Sequence, residues 1–420
     1  MKKKKMDIHS CYLDRILILM YSIMVFGYLG PLGKYRLLTI YITAIVQFAI
    51  LFFCKRRRRF EDVNFFWILF FTYVFLSFLF LNRKNGYEYV LMLACGMMAL
   101  AMDQDDCFFS RLFKVWRNIA VVFGILTIIN VFIPNLVYGY FSFLLTQAQI
   151  DTIQNNILLG GYPGIAGEVS FNCFCIAIGI AVQVIFLYFE KQKVRNFFIL
   201  FLLFIALLLT GKRSMILILP IVSIIIFMLL AIEKRNKYVR EILTLLIIAA
   251  PLVYLGLRDE ITLILTKGGT SLALSNRDWF WNIAEEMFRK HPFWGNGINT
   301  YDFMYNEYKV RNGYVYFAGA HNSYLQYAAE LGAIGLGVFI ICILSEIIRT
   351  IKKINLDFKK HSSLISIENL FISLYAQLFC ILYALSENPF YQPQQIMTYF
   401  IVISCLRCCR RKEKDEYFIS

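Results

Sequence analysis

The stretch Ala320–Leu344, AHNSYLQYAAELGAIGLGVFIICIL, decides how the chain folds. Three polar residues, His321, Asn322 and Ser323, open it, and the run then turns apolar for longer than the roughly 20 residues a helix needs to cross a bilayer. Similar runs recur along the 420 residues, with charges confined to short clusters between them. Hydrophobic residues make up 59% of the chain and charged residues only 17%, against about a quarter charged in a soluble protein. The fold class this implies is an all-α polytopic membrane protein, because every backbone N–H and C=O in lipid needs an internal partner.

Twelve spans are expected, near 16–32, 37–54, 63–81, 88–102, 117–137, 168–189, 196–211, 214–232, 241–257, 322–348, 368–386 and 390–406. No repeat and no long Gly/Ser/Pro linker interrupts them, so residues 1–420 read as one transmembrane domain. Lys2–Lys5 followed by the apolar run from Ile16 looks like a signal sequence without a cleavage site, and reads as an uncleaved first helix.

The net charge of +15 does not call for nucleic acid, because the basic residues are parcelled out between spans. With the N-terminus in the cytoplasm, 30 of the 43 Lys and Arg fall in cytoplasmic segments. Short cytoplasmic loops attract such residues, so both termini are expected inside. Eleven cysteines show no disulfide framework. Cys405, Cys408 and Cys409 lack further ligands at metal-binding spacing, and no metal or other cofactor is expected.

Two outer segments are long, at about 135–167 and 258–320, the second just before the tenth span. Its seven basic residues are balanced by seven acidic ones, so any anion site there needs individually placed side chains. Within it, a helix near 276–290 has Ser275 or Asn276 as cap. Trp279, Ile283, Met287 and Phe288 form an apolar stripe, and Pro292 provides a stop. It is expected to lie on the outer membrane surface. Arg277 stands at its start, where an ion pair with a loop carboxylate is its plain role.

Elsewhere, TGKRSM (Thr210–Met215) sets Lys212 and Arg213 between apolar runs on the outer side, against the charge bias. These are either snorkelling helix-end residues or phosphate ligands. GGYPGIAGEVS (Gly160–Ser170) ends in Glu168, a helix cap or a carboxylate on the rim of an outer cavity. In the opening stretch, His321 and Tyr324 share one helix face. Gly332, Gly335 and Gly337 permit close packing. His321 either marks the membrane boundary or exchanges a proton, and the helix start that it forms with Asn322 suits an anion.

Three of these stretches, TGKRS, NRDWFWNIAEEMFRKHPFWGNGINTY and AHNSYLQYAAELGAIGL, occur in an order that resembles the bacterial O-antigen ligase/polymerase family. The resemblance covers about Thr210–Phe339. It implies a fold similar to the GT-C transferases and a multi-pass protein of the bacterial inner membrane with its active site outside the cytoplasm. The implied donor is a glycan on undecaprenyl diphosphate. Matched residue by residue, Arg213, Arg277 and His321 would be catalytic. Lys212, Glu168, Asn322 and Tyr324, singled out by their own surroundings in the sequence, are expected to bind substrate. The reaction would be a metal-independent, inverting glycosyl transfer, with membrane lipid around it and a chain-length regulator and a flippase as partners. It would extend an O-antigen or capsular polysaccharide. A ligase that passes the glycan to a lipid A core or a protein is the enzymatic alternative, and a flippase or transporter without catalysis is the other. Tyr301, Tyr305, Tyr308, Tyr314 and Tyr316 are candidates for stacking on sugars.

Overall fold

The computed structural model describes residues 2–27, 36–53, 63–82, 86–134, 139–140, 142–144, 147–158, 160–233, 277–301, 319–360 and 362–408. Among these residues there are thirteen α-helices and no strand. In chain order they are α1 (Lys2–Phe26), α2 (Arg36–Phe53), α3 (Phe65–Phe80), α4 (Tyr87–Ala101), α5 (Asp106–Phe132), α6 (Gln147–Leu158) and α7 (Val169–Phe189). They continue with α8 (Lys193–Leu209), α9 (Arg213–Glu233), α10 (Arg277–Lys290), α11 (Ser323–Lys359), α12 (Leu364–Tyr383) and α13 (Pro393–Cys408).

Eleven of the expected spans coincide with helices. The twelfth, near 241–257, lies outside the described residues, as do 258–276 and 302–318 of the large loop. The polar helix α6 sits in the segment 135–167 that the sequence reading left without a helix.

Among the described residues, five helices are long and apolar enough to cross a membrane: Asp106–Phe132, Val169–Phe189, Arg213–Leu230, Ser323–Lys359 and Leu364–Tyr383. Shorter apolar helices add Leu38–Phe53, Phe65–Phe80 and Tyr87–Ala101. The chain is an all-α polytopic membrane protein, and its surface shows why. Phe80 and Phe132 are 76% and 78% exposed, and Phe53, Phe65 and Phe198 also point outward. A rim of this kind matches lipid rather than water. At the centre, α7 is buried almost all round, from Phe171 to Phe186, and packs on α5, α8, α9 and α12. Buried amides and hydroxyls tie the centre together: Gln377 Nε2 donates to Thr350 Oγ1 at 2.9 Å and Ser373 Oγ to Val402 O at 2.6 Å.

The tenth span departs from its expected form. It is broken at Gly332, which takes φ 67° and ψ −173°. Such a break frees backbone groups that lipid cannot satisfy, and here the loop after α10 and Tyr73 of α3 satisfy them. Ala333 N donates to Pro292 O at 2.8 Å, Gly297 N to Glu330 O at 2.8 Å, and the Tyr73 hydroxyl to Leu331 O at 2.8 Å. Gly295, at φ 74°, packs its backbone directly on this break. The buried Glu330 carboxylate secures the same loop. It accepts from Asn299 N at 2.8 Å, Tyr301 N at 3.0 Å and the Tyr391 hydroxyl at 2.9 Å.

Three further expectations are corrected here. Of the three glycines expected to serve helix packing, Gly335 faces the Tyr73 ring, Gly332 breaks the helix and Gly337 borders open space. The apolar face of α10 is buried against protein, through Phe280, Ile283, Ala284 and Met287 packed with Ala320, Leu325 and Ala329. Its buried stripe therefore runs through Phe280 rather than the half-exposed Trp279. The last helix begins at Pro393 rather than near 390, as suits a proline that lacks the N–H a first helical turn leaves unused.

Gly332→Ala places a Cβ 2.3 Å from Phe293 O at a positive φ, and is expected to cost at least about 2 kcal/mol. Gly337→Ala has no atom within 4 Å of its new Cβ and is expected to be neutral or stabilising by up to about 1 kcal/mol. Thermal unfolding of both variants in detergent micelles distinguishes a backbone break from a packing stripe.

Candidate functional site

The site forms where α7, α9, α10, α11 and α13 begin and α8 and α12 end. Tight turns bring these ends together. After α8, Gly211 takes φ 67° and the chain turns straight into α9, leaving Lys212 in the turn. The Gly-rich segment packs on this turn: Tyr162 N donates to Leu209 O at 3.1 Å, and a Cβ on Gly161 would stand 3.0 Å from Thr210 O. That contact carries Glu168 and Ser170, at the start of α7, to the side of Lys212.

The centre of the cluster is Glu387, in the short connection between α12 and α13. Its Oε1 receives Lys212 Nζ in a short ion pair and Arg277 Nη2 at 3.3 Å. Its Oε2 receives His321 Nδ1 at 2.9 Å. Lys212 also donates to Ser170 Oγ at 2.8 Å, and Arg277 Nη1 to Ser386 O at 2.8 Å. Burial alone would raise the Glu387 carboxyl, but Lys212 and His321 outweigh it and hold it down at about 2. A carboxylate so acidic only accepts hydrogen bonds. His321 Nδ1 therefore carries the hydrogen between them, and in the neutral ring Nε2 keeps its lone pair. His321 holds this position at φ 50°, a strained value for a residue with a Cβ, with the Phe280 ring edge-on at 5.6 Å.

Beside the cluster lies a cavity of about 500 Å³, whose wall includes Glu168, His321, Tyr383 and Glu387. The Glu168 carboxyl is raised from its ordinary value, chiefly by burial. Lys212 and His321 oppose that shift, and Glu387 adds to it. A second, apolar cavity of about 340 Å³ lies between α7, α8 and α9, lined by Phe197, Phe201, Phe204, Pro220 and Phe227.

The sequence-derived residues thus fall into two groups. Lys212, Arg277 and His321 meet on one carboxylate, and Glu168 faces the same cavity. The others have different surroundings. Arg213 begins α9 half-buried, with a buried Nε that carries no hydrogen bond. Tyr324 donates its hydroxyl to Ile381 O at 3.0 Å, between α11 and α12. Asn322 caps α11, its Oδ1 accepting from Tyr324 N and Leu325 N at 3.0 and 3.1 Å. Ser323 N donates to Ala384 O and Glu387 O. The helix start is therefore not the open anion site expected of it, because its N–H groups already have acceptors. Tyr301 is fully buried and donates to Phe280 O at 2.8 Å, which removes it from the candidates for sugar stacking. Tyr305, Tyr308, Tyr314 and Tyr316 lie outside the described residues.

Glu387 escaped the sequence reading. The signal was there: it is the one charged residue between Ala384 and Leu406. A lone carboxylate in an uncharged connection between two spans invites a search for cations that other loops bring to it.

Residues 198–340 match the family model described as O-antigen ligase. This stretch is similar to the O-antigen ligase family, which supports the resemblance read from the motifs. It runs from α8 through the break in α11, and contains Lys212, Arg277 and His321 but not Glu168 or Glu387. No curated protein matches the chain. The family groups glycosyltransferase-like enzymes that act on lipid-linked polysaccharide.

Glu387→Gln keeps the shape of the side chain and leaves Lys212, Arg277 and His321 without their shared counter-charge. The expected loss is about 3 kcal/mol in unfolding free energy. Because the Glu387 pKa is lowered from 4.5 to about 2 by folding, its contribution is complete above the unfolded value and is lost as pH falls through the folded one. Acid titration of thermal stability should therefore show a limb between those values in the parent protein that is flattened in Glu387→Gln.

Proposed function

We propose that this protein is a polysaccharide polymerase of the bacterial inner membrane, moving a glycan from undecaprenyl diphosphate onto the next lipid-linked repeat unit. The observation that carries the reading is the convergence of Lys212, Arg277 and His321 on one carboxylate beside an open cavity. A diphosphate leaving group develops charge as the sugar departs, and preorganised cations lower the cost of that charge. The apolar cavity between α8 and α9 starts about 10 Å along α9 from Arg213, at 1.5 Å per residue. It suits the lipid tail of such a donor. The bias of Lys and Arg supports cytoplasmic termini, with the cluster on the opposite side.

In this reaction an acceptor hydroxyl oxygen attacks the anomeric carbon of the donor sugar. The carbon–oxygen bond to the diphosphate breaks, and its electron pair leaves with the diphosphate. The hydroxyl proton passes to His321 Nε2, while Glu387 holds Nδ1–H and steadies the imidazolium. Attack opposite the leaving group inverts the anomeric centre. Lys212 and Arg277, released in part from Glu387, turn to the phosphate oxygens, and Arg213 adds a third cation through its unbonded side. No step in this sequence uses a metal. The description of the matched family favours a ligase as the second reading, with the same chemistry and a different acceptor.

The test is purified protein incubated with lipid-diphosphate-linked repeat units. A ladder of products indicates a polymerase, and transfer only to an added foreign acceptor indicates a ligase. Arg277→Ala is expected to lower kcat/KM by about 10²–10³, and His321→Ala by about 10²–10⁴. Unchanged chain growth in both variants would overturn the assignment.

A further inference from the structure

The cluster handles charge, but the adjoining cavity has a different chemistry. Resting on the transfer reaction proposed above, we infer that this cavity receives the acceptor sugar and selects one that offers hydrogen-bond donors and carries no carboxylate: a neutral or amino-substituted sugar rather than a uronic acid.

The wall is rich in acceptors. Asn388 spends its amide nitrogen on Gln326 Oε1 at 2.9 Å, and its own Oδ1 is buried without a partner. Gln395, 7% exposed, likewise buries its Oε1 without a donor. Both residues line the cavity, as do the carboxylates of Glu168 and Glu387. Glu168 caps α7 by position, yet its side chain makes no capping hydrogen bond. Sugar hydroxyls, amines and acetamido N–H groups supply donors, which is what these oxygens lack. A uronate adds two further acceptor oxygens and a negative charge to a wall already carrying both.

The cations do not offset this. Lys212 and Arg277 stand on Glu387 Oε1 and are absent from the cavity wall, so among the described residues His321 is the basic side chain in it, and its Nδ1 is committed to Glu387 Oε2. Negative charge on the donor is served at the cluster and negative charge on the acceptor sugar is opposed in the cavity. The same site therefore orients the two substrates by their charge.

The experiment uses the full-length protein in lipid nanodiscs and two soluble oligosaccharides that differ only in the terminal sugar, N-acetylhexosamine or hexuronic acid. Binding is read by saturation-transfer NMR and calorimetry, independently of transfer. The neutral sugar is expected to bind at least about ten-fold more tightly. In Glu168→Gln the ratio is expected to shrink several-fold, chiefly through better uronate binding, at an unchanged melting temperature. Equal binding of the two sugars, no binding of either, or the full preference retained in Glu168→Gln overturns the inference. Transfer assays with lipid-linked versions of both sugars separate the two proposals. A binding preference without transfer to any acceptor counts against the reaction alone, and transfer without a preference counts against the cavity assignment alone.

Discussion

One carboxylate holds the functional end of this bundle together. Glu387 joins the turn before α9, the start of α10 and the segment leading into α11 to the connection before α13, through Lys212, Arg277 and His321. Three groups that carry or can take positive charge would repel one another at this distance, so the arrangement exists only with a shared counter-ion. The same carboxylate fixes the histidine tautomer, since its depressed pKa leaves it able only to accept. A diphosphate arriving here meets side chains already paired. It must compete for them, which ties substrate binding to a change in how Glu387 is shared.

A second constraint places α10 and His321 within reach of that carboxylate. Lipid supplies no hydrogen bonds, yet α11 is broken at Gly332. The loop 292–297 meets the exposed backbone groups, and Glu330 clamps the following residues through Asn299 and Tyr301. The break is therefore also the seam where the region after α10 docks on the span. The first turns of α11 lie over α10, which buries Phe280, Ile283 and Met287 against them and sets Phe280 edge-on to the imidazole.

Much of this was legible in the sequence, for identifiable reasons. Apolar runs of bilayer length can only be helices in lipid, so the spans followed from hydropathy. Arg277, Lys212 and His321 stand out because each is a basic side chain at the end of an apolar run, or in a loop of balanced charge. Glu387 did not, because its partners are 66 to 175 residues away in sequence and no local pattern announces them. Asn322 and Tyr324 were read as ligands because they follow His321. Their bonds to the backbone of α11 and to Ile381 are decided by packing.

The sequence by itself determined that this chain is a helical membrane protein, where its spans run, and which cations stand near one end of them. That information is local, carried by runs of residues and their flanks. Tertiary structure alone decided that two of those cations and a histidine share one buried carboxylate, that a glycine expected to pack a helix instead breaks it, and that an acceptor-rich cavity opens beside the cluster. Those features depend on which helix ends meet, and the meeting is set by hydrogen bonds that must be satisfied across the bundle.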